Sequence, residues 1–230
     1  MNHAFSVVIP VLSESSIINR TVEHVCNAGA GVSLEVIVVD GDPGGSTIRC
    51  IRHEKAVTLI SPKGRGRQMN TGASVARGDI LLFLHADTEL PDQAFSAIAS
   101  CIDNHYAGGA FDLGIKSQRF VFRLIEQMVR IRTRLTGIPY GDQAIFVTKE
   151  CFAEVKGFRE IPVMEDVDFM RRIKRAARRF CIIPCKVMTS SRRWEKEGVL
   201  FCTLRNWMLI SLYLLGVHPD RLTKFYHRDP

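Results

Sequence analysis

The sequence predicts an α/β fold: a single domain with a Rossmann-like, mostly parallel central sheet, helices on both faces and a C-terminal helical extension. Three observations carry that prediction. Strand-like and helix-like segments alternate through the first part of the chain, the pattern of βαβ units. The runs FSVVIPV (5–11), LEVIVVD (34–40) and DILLFLHAD (79–87) are rich in apolar, branched residues throughout, as strands buried on both faces must be. Each run closes in a polar or turn segment, and in open parallel sheets such segments gather at the ligand-binding edge beyond the strand carboxyl ends.

After the first strand, SSIINRTVEHVCNA repeats its apolar residues at three and four and reads as a helix; STIRCIRHE reads the same way after the second. KAVTLI is a third strand and GRQMNTGASVA the helix that follows it. DILLFLHAD is a fourth strand, with a turn at Thr88 and Glu89 leading into PDQAFSAIAS. The second half is less regular. YAGGAFDLGI reads as a strand with glycines. FVFRLIEQMVRIRTRL reads as an amphipathic helix with Phe120, Leu124, Met128, Ile131 and Leu135 on one stripe and arginines elsewhere. QAIFVT is a short strand, followed by a helix near 149–156, a helix over 163–177, a strand FCIIP and a final apolar helix over 198–216. No repeat or linker interrupts, so residues 1–230 read as one domain.

With 230 residues, 46% of them hydrophobic, the chain can build a full core, which excludes a disordered protein. A formal net charge of +7 favours polyanionic partners such as nucleotides, nucleic acid or an acidic membrane surface. The seven cysteines are scattered and form no C-x-x-C pair, so they read as reduced thiols of a cytoplasmic protein. MNHAFSVVIPVLSE lacks the basic start and cleavage site of a signal peptide. WMLISLYLLGV falls short of the roughly 20 apolar residues that span a bilayer.

Several segments carry residue types able to do chemistry. In VVDGDPGGST, the Asp40 carboxylate can accept hydrogen bonds from a base or a ribose, or cap its own turn; the segment alone leaves both open. Neither G-x-G-x-x-G nor G-K-[ST] occurs, which weakens dinucleotide-fold and P-loop readings. SPKGRGRQMNTGA sets Lys63, Arg65 and Arg67 on a loop that opens a helix, suited to a diphosphate or simply solvated. In LLFLHADTE, Asp87 follows a strand, where a carboxylate can hold Mg2+ or Mn2+ with phosphate oxygens and water. His85 points to the same side and suits Mn2+ better than Mg2+, or is a hydrogen-bonded structural residue. PVMEDVDFMRR offers Glu165, Asp166 and Asp168 in a first helical turn, either complementing the helix dipole or supplying a general base. SSRRWEKEG brings Arg192, Arg193 and Trp194 before the last helix, as cations for a leaving diphosphate and an indole for a sugar, or as a surface pair beside a core aromatic. MRRIKRAARR is densely basic but lacks the interleaved aromatics of a nucleic-acid module, so no nucleic-acid partner is expected.

Taken in order from SVVIPVLSE at residue 6 to RRWEKEG at 198, these pieces resemble the family 2 glycosyltransferases with the A-type fold. SVVIPVLSE is similar to the family's opening strand, and VIVVDGDPGGST to its nucleotide-binding acid and glycine loop. GRGRQMNTGASVARGDILLFLHADT is similar to the segment from the phosphate-side loop through the metal strand. GDQAIFVTKECFAEVKGF with MEDVDF is similar to the acceptor-side strand, helix and acidic pair. L-H-A-D-T, G-D-Q and R-R-W together resemble a small bacterial subgroup found beside radical-SAM and arsenosugar-type genes. The resemblance implies metal-dependent, inverting transfer of a sugar from a nucleoside diphosphate sugar to an acceptor hydroxyl. Residues 1–105 would form the nucleotide-binding half, 106–197 the acceptor half and 198–230 a helix and tail.

Carried over by position, Asp40 would hold the base or ribose, with Pro10, Glu14, Arg65, Arg67 and Asn70 on the nucleotide side. Asp87, with His85, would hold Mn2+ or Mg2+. Asp166, beside Glu165, would be the general base, and Gly109, Asp142 and Gln143 would shape the sugar and acceptor pockets. Arg192, Arg193 and Trp194 would face the diphosphate; they resemble the end of a Q-x-x-R-W motif, with Ser190 in place of the glutamine. His85 stands where the family's Asp-x-Asp metal motif has its first acid, which bears on the metal's identity more than on its presence.

Two rival readings share the fold. A nucleotidyltransferase would need a glycine-rich loop after the first strand, and VIPVLSESS has no glycine. A non-catalytic, basic membrane- or RNA-associating module draws on the basic helix at 119–134 and the apolar final helix. Those helices suit peripheral contact with the inner face of a membrane, or homodimer and core packing. A haloacid-dehalogenase-type phosphatase fails, because its aspartate nucleophile would have to sit at His85.

Overall fold

The computed structural model describes residues 3–225. Its strands are β1 (Ala4–Val11), β2 (Ser33–Asp40), β3 (Ala56–Ile60), β4 (Ile80–Phe83), β5 (Thr88–Glu89), β6 (Gly108–Lys116), β7 (Phe146–Thr148) and β8 (Phe180–Ser190). They form one sheet in the order β3-β2-β1-β4-β7-β6-β8-β5. β1 to β4 run parallel, β7 is antiparallel to both its neighbours, β8 is parallel to β6, and β5 is antiparallel to β8.

The period-2 alternation of β1 divides the core between the two faces. Phe5, Val7, Ile9 and Val11 join the cluster under helices α1 (Ile18–Ala28) and α3 (Ala94–Asp103), whereas Val8 joins the cluster under α2 (Arg65–Val75), α5 (Lys149–Glu154) and α6 (Glu165–Arg175). These faces match the fold class that the continuous apolar strands predict. The remaining helices are α4 (Phe120–Thr136), α7 (Arg192–Glu197), α8 (Val199–Leu214) and the short α9 (Pro219–Leu222). The tail after residue 225 lies outside the described residues.

Three local expectations are corrected. STIRCIRHE forms only a single 3-10 turn at Ile48–Cys50, because the Asp40 carboxylate draws the N–H groups of Thr47 and Ile48 onto itself. Thr88 and Glu89 are a short strand rather than only a turn, paired with Thr189 and Met188. FCIIP continues to Ser190 through a register jump: Phe111 pairs with Ile183 and Asp112 with Lys186, so Pro184 and Cys185 bulge out, as a residue without an N–H requires.

For α4, of the alternatives the sequence leaves open, core packing of the apolar stripe does not hold. The stripe Phe120, Leu124, Met128, Ile131 and Leu135 faces outward, with Phe120 82% and Leu135 81% exposed, while Phe122, Ile125, Glu126 and Thr133 face the sheet. Ion pairs set this rotation. Arg134 clamps the buried Asp112 carboxylate with bonds of 2.6 and 2.9 Å, and buried Glu126 accepts the Ile115 N–H and pairs with Lys186, both at 2.8 Å. A buried carboxylate left without a cation costs several kcal/mol, which favours the rotation that keeps both clamps.

Candidate active site

The carboxyl ends of β1 and β4 meet the first turns of α2 and α6 around a narrow cleft. Pro10, Arg65, His85, Gly141, Glu165 and Asp166 line it, over an apolar floor of Met69, Phe83, Ile145 and Phe158. Residues far apart in the chain therefore converge where an open α/β sheet binds its ligands.

On the nucleotide side, Asp40 reaches the expected edge but is 0% exposed. Its carboxylate accepts the N–H groups of Asp42 (3.0 Å), Thr47 (2.8 Å) and Ile48 (3.2 Å), so it organises the glycine loop. Of the two roles open at this residue, the geometry is that of the turn cap. Gln68, which sequence reasoning passed over, donates from its buried amide to the carbonyls of Val11 (2.7 Å) and Val39 (2.8 Å), binding α2 to the ends of β1 and β2. Gly66 permits the other close approach of α2: a Cβ there would lie 2.5 Å from the Arg159 carbonyl oxygen. Glu14 bonds through its N–H to Thr47 and through its carboxylate to Arg192 at 3.4 Å, which brings the start of α7 over the loop after β1. Burial holds the Glu14 carboxyl above its usual range, against the pull of Arg192.

At the end of β4, burial, reinforced by Arg65 and Arg193, pushes His85 down to about 3, so its imidazole is neutral with a lone pair free to accept or to ligate. Asp87 follows in a turn rather than on an extended segment, closed by the Thr88 N–H on the His85 carbonyl at 3.1 Å, with the Thr88 hydroxyl 3.5 Å from its carboxylate. Gly141 joins this group to the base side. A Cβ placed on it would lie 3.1 Å from His85 Nε2 and 3.4 Å from Asp166 Oδ2. The Gly141 N–H donates to Asp166 Oδ2 at 2.7 Å, while Asp166 Oδ1 accepts the Val167 N–H at 2.7 Å. Both bonds fix the direction of the carboxylate.

Next to Gly141, Asp142 is raised to about 6 by burial, with Asp166 and Asp87 adding to the rise and Arg132 opposing it; its Oδ1 is buried with no hydrogen-bond partner. Arg132 stacks 3.3 Å above the Tyr140 ring and donates to Gln143 at 2.9 Å. Gln143 also takes the Thr133 hydroxyl and the Tyr140 N–H and donates to the Phe111 carbonyl, so it fixes the Gly141–Gln143 turn from beneath.

Other expected site residues lie apart from the cleft lining. Arg67 turns outward to Glu160 (3.0 Å), and both polar atoms of the Asn70 amide bond the backbone of Phe158. Gly109 is packed between Phe146 and Cys181 inside the sheet. Trp194 packs edge-on against Phe122 with ring centroids 6.1 Å apart, and Arg193 pairs with Glu197. Asp168, the third acid of α6, is held by Arg172 and Arg159.

A divalent ion fits this donor set only if substrate completes its coordination. Among the described residues no three His, Cys, Asp or Glu side chains are arranged to hold a metal by themselves. Asp87 and neutral His85 would supply one oxygen and one nitrogen, a donor set that suits an ion taking its other ligands from phosphate and water.

Residues 6–158 match the family described as Glycosyl transferase family 2. No curated protein matches the chain. Among solved structures, the fold is similar to the mannosyltransferase PcManGT from Pyrobaculum calidifontis in complex with GDP-Man and Mn2+. The TM-score is 0.65 at 18% identity, over 82% of this chain and 57% of that one. It is also similar to S. aureus TarS 1-349 (TM-score 0.62, 15% identity, 96% of this chain and 69% of that one). The same protein in complex with UDP-GlcNAc gives a TM-score of 0.60 at 18% identity, over 81% and 58%. At these identities the likeness is one of fold, and the chain spans little more than half the length of PcManGT.

Proposed function

The chain belongs to glycosyl transferase family 2, and from that premise we propose that it transfers a sugar from a nucleoside diphosphate sugar to an acceptor hydroxyl with inversion. The observation that supports this most is the cleft itself. It sets a carboxylate aimed by two backbone N–H groups, Asp166, across Gly141 from His85, with Arg65 on the same wall. GDP-Man and UDP-GlcNAc in the structural relatives support a nucleotide-sugar donor, and the Mn2+ of PcManGT supports a divalent ion.

In this reading Asp166 takes the proton of the acceptor hydroxyl as its oxygen attacks the anomeric carbon, and the bond from that carbon to the diphosphate oxygen breaks. The charge that develops on the leaving diphosphate is met by Arg65 and Arg192, which stabilise it more in the transition state than in the ground state. A metal held by Asp87 and His85 would add Lewis-acid stabilisation of the same oxygens. Glu165, buried beside the base, shapes the cleft wall.

Asp166→Asn tests the assignment. The variant should keep its thermal stabilisation by nucleoside diphosphates and lose about 10²–10⁴-fold in sugar release from UDP- or GDP-sugars, with water as the surrogate acceptor. Undiminished turnover would place the base elsewhere.

A further inference from the structure

The helix that turns its apolar stripe outward has a neighbour that does the same. On α8 the buried positions include Cys202, Arg205 and Leu209, whereas Leu200, Phe201, Leu204, Trp207 and Met208 are exposed, so the outward face is more apolar than the inward one. The two helices meet at one end: Arg119, at the start of α4, lines one open groove with Trp194, Glu195, Leu200 and Phe201. Large apolar side chains exposed on neighbouring helices mark an interaction site.

Charge identifies what covers it. Arg119 is exposed at the start of α4, the exposed Arg130 and Arg134 share the one carboxylate of Asp112 and so leave a net positive charge, and α8 contains no Asp or Glu; Arg192 is paired with Glu14, and Glu195 also lines the groove. The sole acid of α4, Glu126, is buried against Lys186. A second copy packed by two-fold symmetry would set these arginines against one another, whereas anionic headgroups would neutralise them. Crossing a bilayer is ruled out for the described helices, none of which is long and apolar enough. At 16 residues α8 is about 24 Å long, short of the roughly 30 Å hydrocarbon core. Apolar side chains bordered by arginines on helices too short to span suit the headgroup–acyl boundary.

We propose that the outward faces of α4 and α8 form a docking surface for an anionic lipid bilayer. The surface adjoins the cleft: Leu209 of α8 packs with Val163, just before Glu165, and α7 carries Arg192 to Glu14. This goes beyond the transferase reading and does not depend on it.

The test uses the full chain with vesicles of phosphatidylcholine alone and vesicles of phosphatidylcholine and phosphatidylglycerol in equal parts. At low salt the protein should sediment with the anionic vesicles, bind the neutral ones far more weakly, and be released by added salt. Trp207, 51% exposed, should shift its emission to the blue on binding. The double variant Leu204→Glu, Trp207→Glu should lower the partition coefficient at least about a hundredfold, given about 1.5–3 kcal/mol per buried large side chain. Its thermal stabilisation by nucleoside diphosphates should be unchanged. Phe120→Glu on α4 provides an independent loss should the double variant fold poorly. Absence of vesicle binding at low salt, or undiminished binding by both variants, overturns the proposal. So does a stable dimer in light scattering that Leu204→Glu dissociates, since a second copy would then cover the face.

Discussion

Replacing Asp142 by asparagine should make the protein more stable, and only above a definite pH. Burial holds this carboxyl at about 6 against an ordinary 3.8, with Asp166 and Asp87 adding to the rise and Arg132 and Arg65 opposing it. Because the folded value lies above the unfolded one, the native state binds the proton more tightly, and ionisation destabilises it. The cost develops as the pH rises from 3.8 to about 6 and is complete above that window, where it amounts to about 3 kcal/mol. Asparagine keeps the shape without the charge. In a chain of 230 residues, at roughly 2–4 °C per kcal/mol, Asp142→Asn should therefore raise Tm by about 6–12 °C at pH 8 and by little at pH 4. Paired thermal melts across that range check it. A variant no more stable than the native protein at pH 8, or an advantage that persists unchanged to pH 4, would refute the reasoning. A carboxylate kept at such a cost next to Gly141 of the cleft fits a site selected for binding rather than for stability.

Two further substitutions test the scaffold around the cleft. Arg134→Ala strips the two short bonds from Asp112, which is 3% exposed, and should cost about 3 kcal/mol in chemical denaturation; Arg130, 3.5 Å away, moderates the loss. Gly66→Ala forces a methyl against the Arg159 carbonyl and should cost about 1–3 kcal/mol by the same measurement, parting α2 from the loop that precedes Glu165.

The sheet and its ligand edge were legible because a strand buried on both faces must be apolar throughout, and such a run shows its own end. Pro10, His85, Arg65 and Asp166 sit at strand ends or in first helical turns, so position alone was enough to gather them. The rotation of α4 was not legible. Its apolar stripe is regular in sequence, and the forces that turn it outward come from Asp112 and Lys186, on strands that sequence does not place beside it. Asp40 and Asp142 show the same limit. Both are acids beside glycines at the site edge, yet one is satisfied by three backbone N–H groups and the other has a buried oxygen without a partner. That difference depends on loop conformation, which residue type does not encode. Gln68 carried one weak signal, a polar residue within a helix whose Gly72 marks close packing on β1 and β2.

The central claim, a nucleoside diphosphate held between Arg65 and a metal on Asp87, is tested most directly by thermal shift with UDP and GDP, with and without Mn2+, on the native protein and Asp87→Ala. At a hundred times its dissociation constant, one of the diphosphates should stabilise the native protein by about 2.7 kcal/mol when Mn2+ is present. Asp87→Ala should lose the Mn2+-dependent part. Stabilisation by neither diphosphate, or a full Mn2+-dependent shift in Asp87→Ala, would contradict the account.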